Sequence, residues 1–167
     1  MRFGMMKPGG RMIYIYLAGP LFSEADQTQR RFEGQTLRAL GSQHPNFFVA
    51  NPIELPFDFS TNQTSSVIFA KDTSHIDQAN VFFFELATGD TGTMVEFGMA
   101  IEKLRQGKSL SIYPVFSDLR LERNQASGIE CPVGFNSFLV GACTHHQIPI
   151  HPSFQAALTA FKADHNL

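Results

Sequence analysis

Short apolar runs alternate along the chain with longer stretches whose apolar positions recur at helical spacing, and that alternation predicts an α/β domain with a parallel sheet. Five strands are expected: Met12–Ala18, Phe47–Asn51, Val81–Leu86, Ser109–Phe116 and a short one near Gln147–Ile150. The stretch Ser23–Leu40 reads as a helix, opened by a capping serine, with Ala25, Phe32 and Leu40 toward one face and a stop at Gly41. Further helices are expected from Thr64 to about Gln78, over Thr93–Gln106 before Gly107, and over Ser153–Lys162 after Pro152. Pro, Asp, Asn and Gly across 52–62 and 117–133 predict loops. The unbroken run Val81-Phe82-Phe83-Phe84 suits a central strand covered on both faces, so the expected sheet is doubly wound with helices on both sides. No repeat or boundary divides residues 12–167, which read as a single domain behind a loose leader over residues 1–11.

Composition narrows the function classes. Hydrophobic residues make up 43% of the 167, enough for one packed core, and 13 Lys plus Arg stand against 15 Asp plus Glu without a run of like charges. A nucleic-acid polymer is not an expected partner, because neutralising its phosphates calls for a basic excess. A membrane is not expected either, since no apolar stretch reaches the roughly 18 residues a spanning helix needs. Arg2, Lys7 and Arg11 ahead of the apolar run Met12–Phe22 outline a signal peptide, but Gly19 and Pro20 interrupt the run and its β-branched and aromatic residues suit a strand. Cys131 and Cys143, 12 apart and without a C-x-x-C pair, predict reduced thiols; the expectation is a soluble cytoplasmic protein.

In a parallel sheet of this kind ligands bind beyond the carboxyl ends of the strands. That rule selects Tyr16–Phe22, Asn51–Asp58, Ala87–Glu96 and the loop after Phe116. The richest segment is 89–100, a strand-to-helix turn with Asp90 and Glu96 six apart. Two readings stand for it. Thr93-x-x-Glu96 forms a capping box, or Glu96, kept ionised by the helix dipole and free N–H groups, is a nucleophile for a sugar anomeric carbon with Asp90 facing the same crevice. Asp72 lies on the second helix among Ile68, Phe69 and Ile76, where it is either a crevice acid or part of a solvated face. Tyr14 and Tyr16 share one face of the first strand, and either is core or a hydrogen-bond partner of a crevice carboxylate.

Taken in order, Tyr16-Leu17-Ala18-Gly19-Pro20-Leu21-Phe22, Asp72, and Asp90-x-Gly92-Thr93-x-x-Glu96-x-Gly98-x-Ala100 resemble the nucleoside 2-deoxyribosyltransferase family over roughly residues 12–140. The resemblance implies a flavodoxin-like fold, a homo-oligomer with shared sites, no metal or cofactor, and exchange of the base of a 2′-deoxynucleoside for a free purine or pyrimidine. It implies Glu96 as nucleophile, Tyr16 as the tyrosine that orients it, and Asp72 and Asp90 as the base-side acids. Gly19, Phe22 and Gly92 fall in the substrate-binding segments, and Asn136 resembles an asparagine that reaches a sugar hydroxyl, often in a neighbouring subunit.

Competing motifs fail on spacing. Gly107-Lys108-Ser109 imitates the end of a P-loop but precedes a strand, with Glu102 where glycine is required; there is no G-x-G-x-x-G and no G-x-S-x-G. His145, His146 and His151 read as solvated loop histidines. The expected activity is base exchange by double displacement through a glycosyl-Glu96 ester, with Asp72 or Asp90 protonating the departing base. The alternatives are an N-glycosidase acting on deoxynucleosides or their 5′-monophosphates, and a non-enzymatic nucleoside or nucleotide sensor. Pro20-Leu21-Phe22 in place of a glycine- or serine-rich anion cradle favours the free nucleoside.

Overall fold

The computed structural model describes residues 12–56, 64–87, 89–118 and 136–167. The leader, most of the two expected long loops, and Cys131 lie outside them. Four parallel strands, β1 (Ile13–Ala18), β2 (Phe47–Ala50), β3 (Val81–Glu85) and β4 (Ser111–Val115), stand in the order β2-β1-β3-β4. Among the described residues five α-helices accompany them: α1 (Glu24–Gly41), α2 (Ser65–Gln78), α3 (Thr91–Arg105), α4 (Ser137–His145) and α5 (Phe154–His165). Alternation along the strands builds two cores. Tyr14, Tyr16, Phe82 and Phe84 pack with Ile76 of α2, Phe97 of α3 and Cys143 of α4. Ile15, Leu17 and Phe83 pack on the other face with Leu37 of α1 and Phe161 of α5. The helices after β1 and β3 therefore leave on opposite faces, and the crevice where ligands bind opens between the carboxyl ends of those two strands.

The structure corrects the sequence reading in four places. A fifth strand over Gln147–Ile150 is replaced by one parallel bridge between Val115 and His151. Gln147 is left-handed at φ 56°, and Pro149 and Pro152 have no N–H to donate. In α1 the buried stripe is Arg30, Glu33, Gly34, Leu37 and Gly41, whereas Phe32 is 56% exposed and Ala25 is exposed. Gly41 is the last helical residue instead of the stop, and a Cβ on it would collide with the Phe47 ring. Helix α3 begins two residues early, capped by Asp90, so the Thr93–Glu96 capping box does not form. Helix α4 was not expected; it is apolar nearly all round and offers no polar face to set a period. Elsewhere the local chemistry is as read: Ser23 and Asp26 close a reciprocal capping box, and Gly107 ends α3 at φ 76°.

Candidate active site

Tyr16 lies two residues before the end of β1, fully buried on the α2–α3 face, and its hydroxyl donates to Glu96 Oε1 at 2.6 Å. Of the two strand tyrosines it is the one that meets a crevice carboxylate. Tyr14 instead places its hydroxyl 2.6 Å from His75 Nδ1. Lys103 of α3 donates to the carbonyls of Ile76 (2.6 Å), Asp77 (2.9 Å) and Ala79 (3.0 Å), tying the end of α2 to α3 and fixing Asp72 relative to Glu96. Gly19, Phe22, Asp72, Asp90, Gly92 and Glu96 all line one cleft of about 380 Å³. Gly19 is required by close approach, since a Cβ there would lie 2.7 Å from Arg30 Nη1 and 3.1 Å from Glu85 Cβ. Phe22 stands 84% exposed at the rim.

Burial acts on two of the carboxylates, Glu96 and Asp72. Burial pushes Glu96 up to about 7, helped by the charges of Asp72 and Asp90 and opposed by the Tyr16 hydrogen bond. Burial thus works against the expectation that the helix terminus keeps Glu96 ionised. Asp90 takes up the free N–H groups, accepting from Gly92 N (3.4 Å), Thr93 N (3.0 Å) and Thr93 Oγ1 (2.6 Å), and Glu96 sits a turn further along. Burial also raises Asp72, against the pull of Lys71 and His75. The Tyr16 phenol is driven well above its ordinary range by burial and by Glu96, so it remains a donor.

Asn136 is not brought to this cleft within the chain. Its Oδ1 caps α4, accepting from Phe138 N (2.9 Å) and Leu139 N (3.4 Å), and it lines a separate groove of about 870 Å³ with Met94, Phe97 and Ile101. The histidines do not converge: His145 and His146 lie edge to face at the end of α4, while His151 packs near Tyr113. Sequence reasoning missed a buried polar group in the cleft wall. Arg30 pairs with Glu33 at 2.8 Å, and Asn51 Nδ2 donates to Arg30 O (2.9 Å) and Glu54 Oε2 (2.7 Å). Despite its partner, Glu33 is pushed up to about 7, because burial outweighs the Arg30 attraction. Asn51 was findable, standing directly after a strand at the crevice end; an Arg-x-x-Glu on a helix reads as a surface pair.

The sequence profile of the nucleoside 2-deoxyribosyltransferase family matches residues 15–126, a span that holds Tyr16, Asp72, Asp90 and Glu96. The chain belongs to this family. An uncharacterised protein of Ureaplasma parvum is 30% identical over 142 residues, covering 81% of this chain and 86% of its own. Among solved structures, a conserved protein from Enterococcus faecalis V583 superposes with a TM-score of 0.65 at 21% identity, covering 90% of this chain and 99% of its own. A 2-deoxyribosyltransferase from Leishmania mexicana superposes at 0.55 and 23% identity, covering 92% of this chain and 98% of its own. The fold is that of these proteins, a deoxyribosyltransferase-type α/β sheet.

Proposed function

We propose that the protein exchanges the base of a 2′-deoxynucleoside for a free purine or pyrimidine, with retention at C1′. The observation that carries the reading is the 2.6 Å hydrogen bond from buried Tyr16 to Glu96, a carboxylate that shares its cleft with the half-buried acid Asp72. In the first step Glu96 bonds to C1′ while the C1′–N bond breaks, its electron pair leaving with the base nitrogen, which takes a proton from Asp72. The incoming base nitrogen then attacks C1′, the ester bond breaks, and the proton of that base passes back to Asp72. Asp72 suits the donor role because burial favours its protonated form. Asp90 suits it less, because its carboxylate is already engaged by three hydrogen bonds that fix the head of α3. The reaction as written draws on carboxylates alone. Asn136, which lines a different groove from the cleft of its own chain, fits a homo-oligomer in which it serves a neighbour, and a cytoplasmic location fits this reading.

Incubating the protein with deoxyinosine and free adenine, and separating the products by chromatography, tests this. Deoxyadenosine and hypoxanthine are expected, formed faster than free sugar. Free deoxyribose as the main product with acceptor base in excess would make the protein a hydrolase, and no turnover of any deoxynucleoside would leave a binding protein.

A further inference from the structure

Three buried side chains, two in the wall of the cleft and one paired behind it, are left with polar atoms that the described residues do not satisfy. Arg30, Glu33 and Asn51 are 4%, 2% and 1% exposed, and among the described residues Arg30 Nε, Glu33 Oε2 and Asn51 Oδ1 meet no hydrogen-bond partner. Such groups are costly, and three together call for a physical reason. Arg30 and Asn51 line the cleft that holds Glu96, and the Asn51 amide donates to the Arg30 backbone carbonyl, which holds the Asn51 side chain beside the start of the Arg30 side chain. Arg30 Nε offers a donor and Asn51 Oδ1 an acceptor.

We propose that Arg30 and Asn51 form a subsite in the wall of the cleft that reads one sugar hydroxyl of the substrate, Arg30 Nε donating to the oxygen and Asn51 Oδ1 accepting its proton. The inference rests on the nucleoside reading above. A hydroxyl is the group that completes a donor and an acceptor at once, and ligand entry ordinarily brings the small side-chain adjustment that such a contact needs. A phosphate fits poorly: Arg30 is already paired with Glu33, and Asp72, Asp90 and Glu96 face the same space. A base edge is better placed next door. A second pocket of about 250 Å³ adjoins the cleft at Asp72, and its Leu21, Pro52, Ile53 and Ile68 suit a flat ring. With the base there and C1′ at Glu96, the sugar lies in the lobe of Arg30 and Asn51.

The test compares kcat/KM for transfer to adenine from deoxyinosine, 2′,3′-dideoxyinosine, 2′,5′-dideoxyinosine and deoxyinosine 5′-monophosphate. The wild type is expected to disfavour one dideoxy analogue by about 10- to 100-fold, the loss that follows when buried polar groups are left unpaired, and that analogue identifies the hydroxyl. Arg30→Lys keeps the charge opposite Glu33 but loses the Nε–H, and should bring the ratio to within about threefold of unity. The double variant Arg30→Met/Glu33→Leu replaces the pair by apolar side chains, a change that buried ion pairs often tolerate, and should do the same if Arg30→Lys does not fold. A merely structural role would change melting temperature or KM for all donors alike and leave the ratio intact; that result overturns the proposal. So would wild-type use of both analogues as readily as deoxyinosine, or a wild-type preference for the monophosphate that the variants lose. No exchange from deoxyinosine by wild type would overturn the parent reading, and this one with it.

Discussion

At the scale of single residues, the state of Glu96 decides both chemistry and stability. Its carboxyl is held near 7 in the folded chain against an ordinary value of 4.5. A raised value means that the fold favours the protonated form, so this contribution to stability is full below about 4.5 and is lost as pH rises through about 7. For a group this buried the loss is on the order of 1–3 kcal/mol. Glu96→Gln should therefore melt like the wild type near pH 4.5 and above it at pH 8, which denaturation at the two pH values checks. The same variant cannot form the ester, and single-turnover base release should fall by about 10⁴-fold or more. Near-normal exchange by folded Glu96→Gln would end the mechanism. Tyr16→Phe removes the hydrogen bond that lowers Glu96, so Glu96 should ionise at higher pH. Its kcat should drop on the order of 10- to 1000-fold, with the acidic limb of the kcat/KM profile displaced upward. An unmoved limb and unchanged kcat would return Tyr16 to the core.

At the scale of elements, the head of α3 separates a scaffold acid from a reacting one. Asp90 accepts from two backbone N–H groups and from Thr93 Oγ1, and so fixes the turn that carries Glu96. Asn caps as well as Asp. Asp90→Asn should thus keep its melting temperature and retain exchange within about tenfold, while Asp90→Ala should lose about 1 kcal/mol of stability. A collapse of exchange by several orders of magnitude in well-folded Asp90→Asn would make Asp90 the proton donor in place of Asp72. The same element marks where the sequence is legible. Tyr16, Asp72, Asp90 and Glu96 were all legible as crevice candidates, because each stands near the end of a strand, in the turn after one, or on a helix leading into one. Which backbone groups Asp90 would bond was not legible, since Thr93-x-x-Glu96 and Asp90-x-x-Thr93 both satisfy cap patterns and only the close of the preceding turn selects between them. The strands were read to within two residues from runs such as Val81–Phe84, which leave no polar face for an alternative. The stripe of α1 was misread for the opposite reason: Arg30 and Glu33 pair with one another inside, while Phe32 is left at the surface. Local pattern cannot report a pairing that only the packed helix creates.

At the scale of the whole molecule, α3 stands between two spaces. Glu96 faces the cleft, and Met94, Phe97 and Ile101 face the groove that Asn136 shares, with Phe138 89% exposed at its edge. If Asn136 completes a neighbour's cleft, every site in the assembly takes Glu96 from one copy and Asn136 from another, as a self-complementary contact requires. Activity should then fall on dilution, and sedimentation should show at least a dimer; a fully active species near 18.6 kDa would exclude sharing. Complementation tests the idea more sharply. Asn136→Asp keeps an oxygen to cap α4 but loses the amide donor and brings a charge toward an acidic cleft, so it should fold and be nearly inactive. Mixed after dissociation with inactive Glu96→Gln, it should form hybrids with one doubly altered site and one unaltered site. Random pairing makes half the dimers hybrid, so the mixture should recover about a quarter of wild-type exchange. Hybrids that assemble, as native mass spectrometry would reveal, yet recover nothing would confine Asn136 to the cap of its own helix.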